Sequence, residues 1–198
     1  MPHIVLISGS LRRNSTNGIA IATVRRALTA ADVGVSTQML DLGSLPHYNQ
    51  DSEESGWPSE AAAARRMIDA ADALVISTPS YNGALPGVLK NALDWFSRPR
   101  RACVLDDKPT AVLTVGSAPL GGADALPGIR RILRRSGACV LDGRLAIGNA
   151  DALATADGVF TDPDVRARLD TFASGILEEL ALADVNRTLE LLPAFVRI

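Results

Sequence analysis

The chemistry is concentrated first in Ser8-Gly9-Ser10-Leu11-Arg12-Arg13-Asn14-Ser15-Thr16-Asn17-Gly18. Ser10, Ser15 and Thr16 offer hydroxyls, Asn17 an amide and Arg12 a charged fork, all just ahead of a helical pattern. A phosphate placed there would meet side-chain donors, free helix N-terminal amides and a favourable dipole. No G-x-x-x-x-G-K-[ST] supplies a lysine for a nucleoside triphosphate, and no G-x-G-x-x-G lets a dinucleotide pyrophosphate lie against backbone. A hydroxyl-and-arginine cradle suits a terminal monophosphate, and flavin mononucleotide (FMN) carries one. The plainer alternative is that Asn14, Ser15 or Thr16 caps the helix while Arg12 is a solvated charge.

Two further loops have similar promise. Ser77-Thr78-Pro79-Ser80-Tyr81-Asn82-Gly83-Ala84-Leu85-Pro86 follows an apolar run, and Gly116-Ser117-Ala118-Pro119-Leu120-Gly121-Gly122 follows another. In doubly wound sheets, ligands bind at the C-terminal ends of parallel strands, where both loops would lie. The glycines of the second would let backbone approach a flat ligand, unless they form a turn and nothing more.

These loops need elements to hold them. Ile4-Val5-Leu6-Ile7 is short, continuous and rich in β-branched residues, as expected for a parallel strand covered on both faces. Ala73-Leu74-Val75-Ile76 and residues 110–115 read the same way. Residues 35–42 alternate imperfectly and read as a strand with Leu40 and Leu42 inward, and residues 138–140 with 145–147 give a last, irregular strand region.

Between the strands, Ala20, Val24, Ala27 and Leu28 form one apolar helix face, stopped by Gly34, and Ala61, Ala64, Met67, Ile68 and Ala71 form another. Pro86 is placed to occupy the first turn of a third helix with Leu89, Ala92, Leu93 and Phe96 inward. Lys90 and Asp94 are spaced as a surface pair there, and Trp95 reads as packing or subunit contact. Leu126, Ile129 and Leu133 face inward on the next helix. Its Arg130, Arg131, Arg134 and Arg135 read as a solvated face able to attract dinucleotide phosphates.

Residues 43–58 read as a loop long enough for a functional flap, with His47, Tyr48 and Trp57 in it. Residues 151–162 read as a loop, and Asp162-Pro163 opens a helix with Val165, Leu169, Phe172 and Ile176 on one face. The packing of the tail, residues 184–198, is left open. Strands alternating with helices predict one three-layer α/β domain over residues 1–198 with a parallel sheet.

Composition narrows the partners. A formal net charge of −2 and a pI near 5.7 disfavour nucleic acid or an anionic membrane surface. No run approaches a membrane span, and the first strand begins without a charged leader, so a cytoplasmic protein is expected. Cys103 and Cys139 form no C-x-x-C, and neither His3 nor His47 has a metal partner at useful spacing.

With all three loops in view, residues 3–180 resemble the NADPH-dependent FMN reductase family, which includes quinone, chromate and azo-compound reductases. The residues carrying the resemblance are the first loop from Gly9 to Asn17 and the long run Pro79-Ser80-Tyr81-Asn82-Gly83-Ala84-Leu85-Pro86-Gly87-Val88-Leu89-Lys90-Asn91-Ala92-Leu93-Asp94-Trp95. The resemblance implies a flavodoxin-like fold with five parallel strands ordered 2-1-3-4-5. It implies that Ser10, Arg12, Ser15, Thr16 and Asn17 grip the FMN phosphate, and that Pro79, Ser80, Tyr81, Asn82 and Gly83 line the ring and ribityl edge. Ser117, Gly121 and Gly122 match the remaining ring-binding segment more weakly. Many members have glutamate where this chain has Ser80, so that carboxylate's role is absent or replaced.

The implied activity is hydride transfer from NADPH or NADH through FMN to a second acceptor: a quinone, free flavin, nitro or azo compound, or metal oxyanion. No acid–base pair is required of the protein. Tyr81 and Asn82 are candidate substrate contacts, or simply shape their loop. The resemblance also implies a homodimer or homotetramer with the site near a subunit interface. The rival expectations are a flavodoxin-like electron carrier without direct NAD(P)H reaction, and a flavin-responsive scaffold.

Overall fold

The computed structural model describes residues 1–31, 34–155 and 158–191, with side chains through residue 184. Five strands, β1 (His3–Ser8), β2 (Ser36–Leu40), β3 (Ala73–Thr78), β4 (Pro109–Val115) and β5 (Cys139–Ile147), form one sheet. All neighbours pair in parallel in the order β2-β1-β3-β4-β5. The helices are α1 (Thr16–Ala31), α2 (Gln50–Ser55), α3 (Ser59–Ala70), α4 (Gly87–Phe96), α5 (Leu126–Arg135), α6 (Ala150–Leu153) and α7 (Pro163–Leu191).

The continuous apolar strands have a direct cause. Successive side chains leave opposite faces, and both faces are roofed by helices. Ile4 and Leu6 of β1 join Val24, Leu28, Leu169 and Phe172 in the core beneath α1 and α7. Val5 and Ile7, one residue out of phase, join Ile68, Leu89, Phe96 and Leu133 beneath α3, α4 and α5. Each fully buried side chain of this kind is worth about 1.5–3 kcal/mol relative to exposure. A one-residue slip of β1 would exchange its two faces, so register is strongly set.

Several local expectations change. The stretch 43–58 is not an open loop: Leu42–Ser44 makes a 3-10 turn and α2 follows, its Asn49 cap accepting from the Asp51 amide at 2.9 Å. Nor is it a free flap. The Asn91 side chain accepts from the Tyr48 amide at 2.7 Å, and Trp95 Nε1 donates to the Pro46 carbonyl at 2.9 Å. Trp95 is wholly buried, with Tyr48 and Trp57 rings 5.0 and 5.2 Å away, so it belongs to packing.

Pro86 sits at the N-cap of α4, one residue before the first turn. The Lys90–Asp94 pair forms at 2.6 Å across one helical turn. Residues 151–162 contain the end of α6 and an Ala154–Phe160 bridge, with residues 156 and 157 outside the described set. The last strand is continuous but bulged: between the Thr110–Val140 and Val112–Arg144 pairs, Ala111 faces three residues of β5. In the tail, α7 runs to Leu191, and residues 192–198 lie outside the described ones.

Candidate active site

The loops after β1, β3 and β4 meet over the C-terminal edge of the sheet and enclose a cavity of about 930 Å3. This lies within the roughly 300–1,000 Å3 range of small-molecule sites. At its β1 end are Ser10, Arg12, Thr16 and Asn17, and opposite them are Pro79, Ser80, Tyr81, Asn82 and Gly83. Ser117 and Gly122 contribute from the third loop.

The first loop turns where only glycine fits. The Gly9 amide donates to the Ser77 carbonyl at 2.7 Å, and a Cβ there would stand 2.6 Å from Thr78 Oγ1. The chain then reaches α1, which Ser15 caps. Its carbonyl accepts from Ile19 at 3.0 Å, and its hydroxyl accepts from the Asn17 amide at 3.2 Å. The capping role considered from sequence therefore falls to Ser15, which faces an adjoining cavity with Arg13 and Asn14 and does not line the large one.

Asn17 is 2 % exposed and joins three elements. Its Nδ2 donates to the Val115 carbonyl at 3.0 Å, and its Oδ1 accepts from Ser77 Oγ at 2.9 Å. The start of α1 is thus tied to the ends of β4 and β3. By contrast, the Thr16 hydroxyl and Arg12 guanidinium have no hydrogen-bond partner among the described residues, and both border the cavity. They are the donors left available to a ligand.

The second loop is a tight reversal. Tyr81 and Ala84 exchange backbone hydrogen bonds of 2.8 and 3.1 Å around Asn82 (φ 54°) and Gly83 (φ 80°). Positive φ at both central positions is the reason for Asn-Gly there. The turn presents Tyr81, half exposed, at the cavity mouth with exposed Leu120. Shaping the loop is thus an observed role of Asn82.

On the third loop, Gly121 does not line the cavity, because its α-carbon faces the Ile147 and Gly148 backbone. Ser117 Oγ donates to Asp151 at 2.5 Å. Asp124, which sequence reasoning missed, lines the cavity and accepts from Ser80 Oγ at 3.2 Å. A carboxylate therefore stands beside Ser80, where the family resemblance leads to the expectation of glutamate, and it is supplied from a different loop. Only the place of Asp124 two residues after the glycine pair could have flagged it.

A doubly wound parallel sheet with a cavity over the C-terminal ends of β1, β3 and β4 defines a flavodoxin-like protein. Its strand order is the flavodoxin order. The profile of the NADPH-dependent FMN reductase family matches residues 2–152, and the chain belongs to that family. A 2-hydroxy-1,4-benzoquinone reductase of a Burkholderia species is 36 % identical over 170 residues, 85 % of this chain and 91 % of that protein. A quinone reductase of Pseudomonas putida is 33 % identical over 178 residues, 87 % and 94 % of the two chains. Among solved structures, the flavoenzyme NAD(P)H:(acceptor) oxidoreductase FerB from Paracoccus denitrificans superposes with a TM-score of 0.77 at 27 % identity, covering 90 % of this chain and 98 % of the other.

Proposed function

We propose that this protein is an NAD(P)H-dependent FMN oxidoreductase that reduces quinone-type acceptors. The observation carrying this reading is the cavity itself, with unpaired Arg12 and Thr16 donors at one end and the mostly uncharged residues of two loops at the other. The donor set fits FMN: charge-assisted bonds suit its phosphate, and the cleft has the volume of a small-molecule site. Bound FMN would take hydride from the nicotinamide and pass reducing equivalents to the acceptor.

Ser10, Arg12 and Thr16 hold the phosphate in this reading, while Ser15 and Asn17 fix the helix start behind it. Pro79, Ser80, Tyr81, Asn82, Gly83, Ser117 and Gly122 line the ring, and Gly121 lets the third loop lie close to β5. Asp124, held by Ser80, places negative charge at the ring end. Tyr81 and Leu120 at the mouth offer apolar surface to a planar acceptor. The relatives named as quinone reductases support that choice of acceptor.

The same reading includes a homodimer closing over the mouth, supported by the exposed Leu11, Tyr81 and Leu120 at and beside it, and tested by light scattering. It places the protein in the cytoplasm, supported by two free cysteines. No described helix is long and apolar enough to cross a membrane.

The test is the anaerobic visible spectrum of the protein with equimolar FMN. Bound flavin that bleaches with NADPH and recovers on adding benzoquinone is the expected result. Bound flavin that stays oxidised would instead favour a carrier.

A further inference from the structure

A separate cavity of about 450 Å3 lies in the groove between α5 and β5, with Leu126 and Pro127 on its apolar side and Arg130, Arg134 and Arg144 around it. Arg130 departs from the solvated face expected for this helix: it is 3 % exposed. The β5 bulge brings carbonyls to it, and Nη1 donates to Leu141 at 2.7 Å. Its Nε and Nη2 are buried with no hydrogen-bond partner. Asp142 Oδ1 stands 3.5 Å from Nη2, on a side chain that is 99 % exposed.

Burial, followed by the charges of Arg134 and Arg144, holds the Arg130 guanidinium below its ordinary range, while Asp142 and Glu179 oppose this. Arg134 and Arg144 are exposed and make no hydrogen bond or ion pair among the described residues. Three cations thus face two carboxylates, Asp142 at 3.5 Å and the more weakly felt Glu179. The groove keeps an excess of positive charge, and guanidinium forks match the oxygen geometry of phosphate. The groove adjoins the large cavity through one short segment, since Ala123 lines the groove while Gly122 and Asp124 line the cavity.

We propose that this groove binds the 2′-phosphate that distinguishes NADPH from NADH, with Arg130 as its buried anchor and Arg134 and Arg144 as its walls. The assignment rests on the oxidoreductase reading for the dinucleotide as ligand. Calorimetry on the FMN-loaded protein, with adenosine 2′,5′-bisphosphate and adenosine 5′-monophosphate as probes, tests it. The wild type should bind the bisphosphate at least about tenfold more tightly, inorganic phosphate should compete, and Arg134→Gln with Arg144→Gln should erase the preference. These exposed positions avoid the folding risk of replacing Arg130.

Equal affinities in the wild type, or a preference surviving in the double variant, would overturn the groove. Binding of inorganic phosphate with no bisphosphate preference would overturn its assignment to the dinucleotide. Flavin bleaching by NADPH is recorded on the same wild-type sample. If it occurs without 2′-phosphate discrimination, the groove is lost and the oxidoreductase reading stands. If bound flavin does not bleach, that reading fails whatever the probes do.

Discussion

Replacing Asn17 with Ala should destabilise the apoprotein more than any other single change at the phosphate end. The substitution removes the bond to the Val115 carbonyl and the one from Ser77 Oγ, and Ser77 and Val115 are both wholly buried. A buried polar group left unpaired costs about 1–3 kcal/mol, and the Ser77 hydroxyl can rotate toward another acceptor, so the combined loss is about 2–4 kcal/mol. For a domain of this size each kcal/mol lowers Tm by about 2–4 °C. Urea unfolding of the FMN-free protein should therefore show a lower midpoint with an unchanged slope. Asn17→Asp should be no milder, because it keeps the acceptor for Ser77 but sets a carboxylate against a carbonyl. A double-mutant cycle with Ser77→Ala should return a coupling of about 0.5–3 kcal/mol. A loss below about 0.5 kcal/mol in Asn17→Ala, or no coupling, would refute the claim that this side chain fastens the site to the sheet.

Arg12→Ala should weaken FMN binding by roughly ten- to a hundredfold, read by flavin fluorescence quenching, while leaving the apoprotein midpoint unchanged, because the guanidinium has no partner within the described chain. Gly9→Ala should cost about 1–3 kcal/mol in urea unfolding through the close approach to Thr78, and Thr78→Ala should recover part of it. Burial pushes the Cys103 thiol above its ordinary value of 9.0, so a thiol reagent should label exposed Cys139 first. The native thiol keeps its proton where the unfolded one releases it, so stability falls as pH rises through 9 and above. Cys103→Ala should remove that part of the slope in pH-dependent unfolding. Lys90→Ala should change stability by less than about 0.5 kcal/mol, since both partners of its ion pair are substantially exposed.

The sheet was legible because its central strands are buried on both faces and read as unbroken apolar runs, as in Ile4 to Ile7. The first loop was legible as a candidate binding loop because hydroxyls and an arginine follow such a run directly, and the structure brings Ser10, Arg12, Thr16 and Asn17 to one cavity. What escaped depends on distant pairings. Arg130 lies at a helical spacing that reads as solvent-facing, and only the bulge in β5 carries the Leu141 carbonyl to it. Asp124 carries no signal of its own in the sequence because its partner, Ser80, is on another loop. The 43–58 segment reads as polar connection, yet Asn91 and Trp95 bind its backbone from α4. The separate duties of Ser15 and Thr16, adjacent and chemically alike, depend on which one occupies the helix cap.

Asn17 also divides the cavity into parts with unequal freedom to vary. Its bonds tie the β1 end of the cavity to the strands, whereas the side chains of Leu11, Tyr81 and Leu120 are largely exposed. In the proposed function, a replacement of Asn17 would disturb folding and cofactor retention together, while one at the mouth would change little except what touches the ring. A lineage with this arrangement can inherit its cofactor unchanged while the identity of the molecule it reduces drifts.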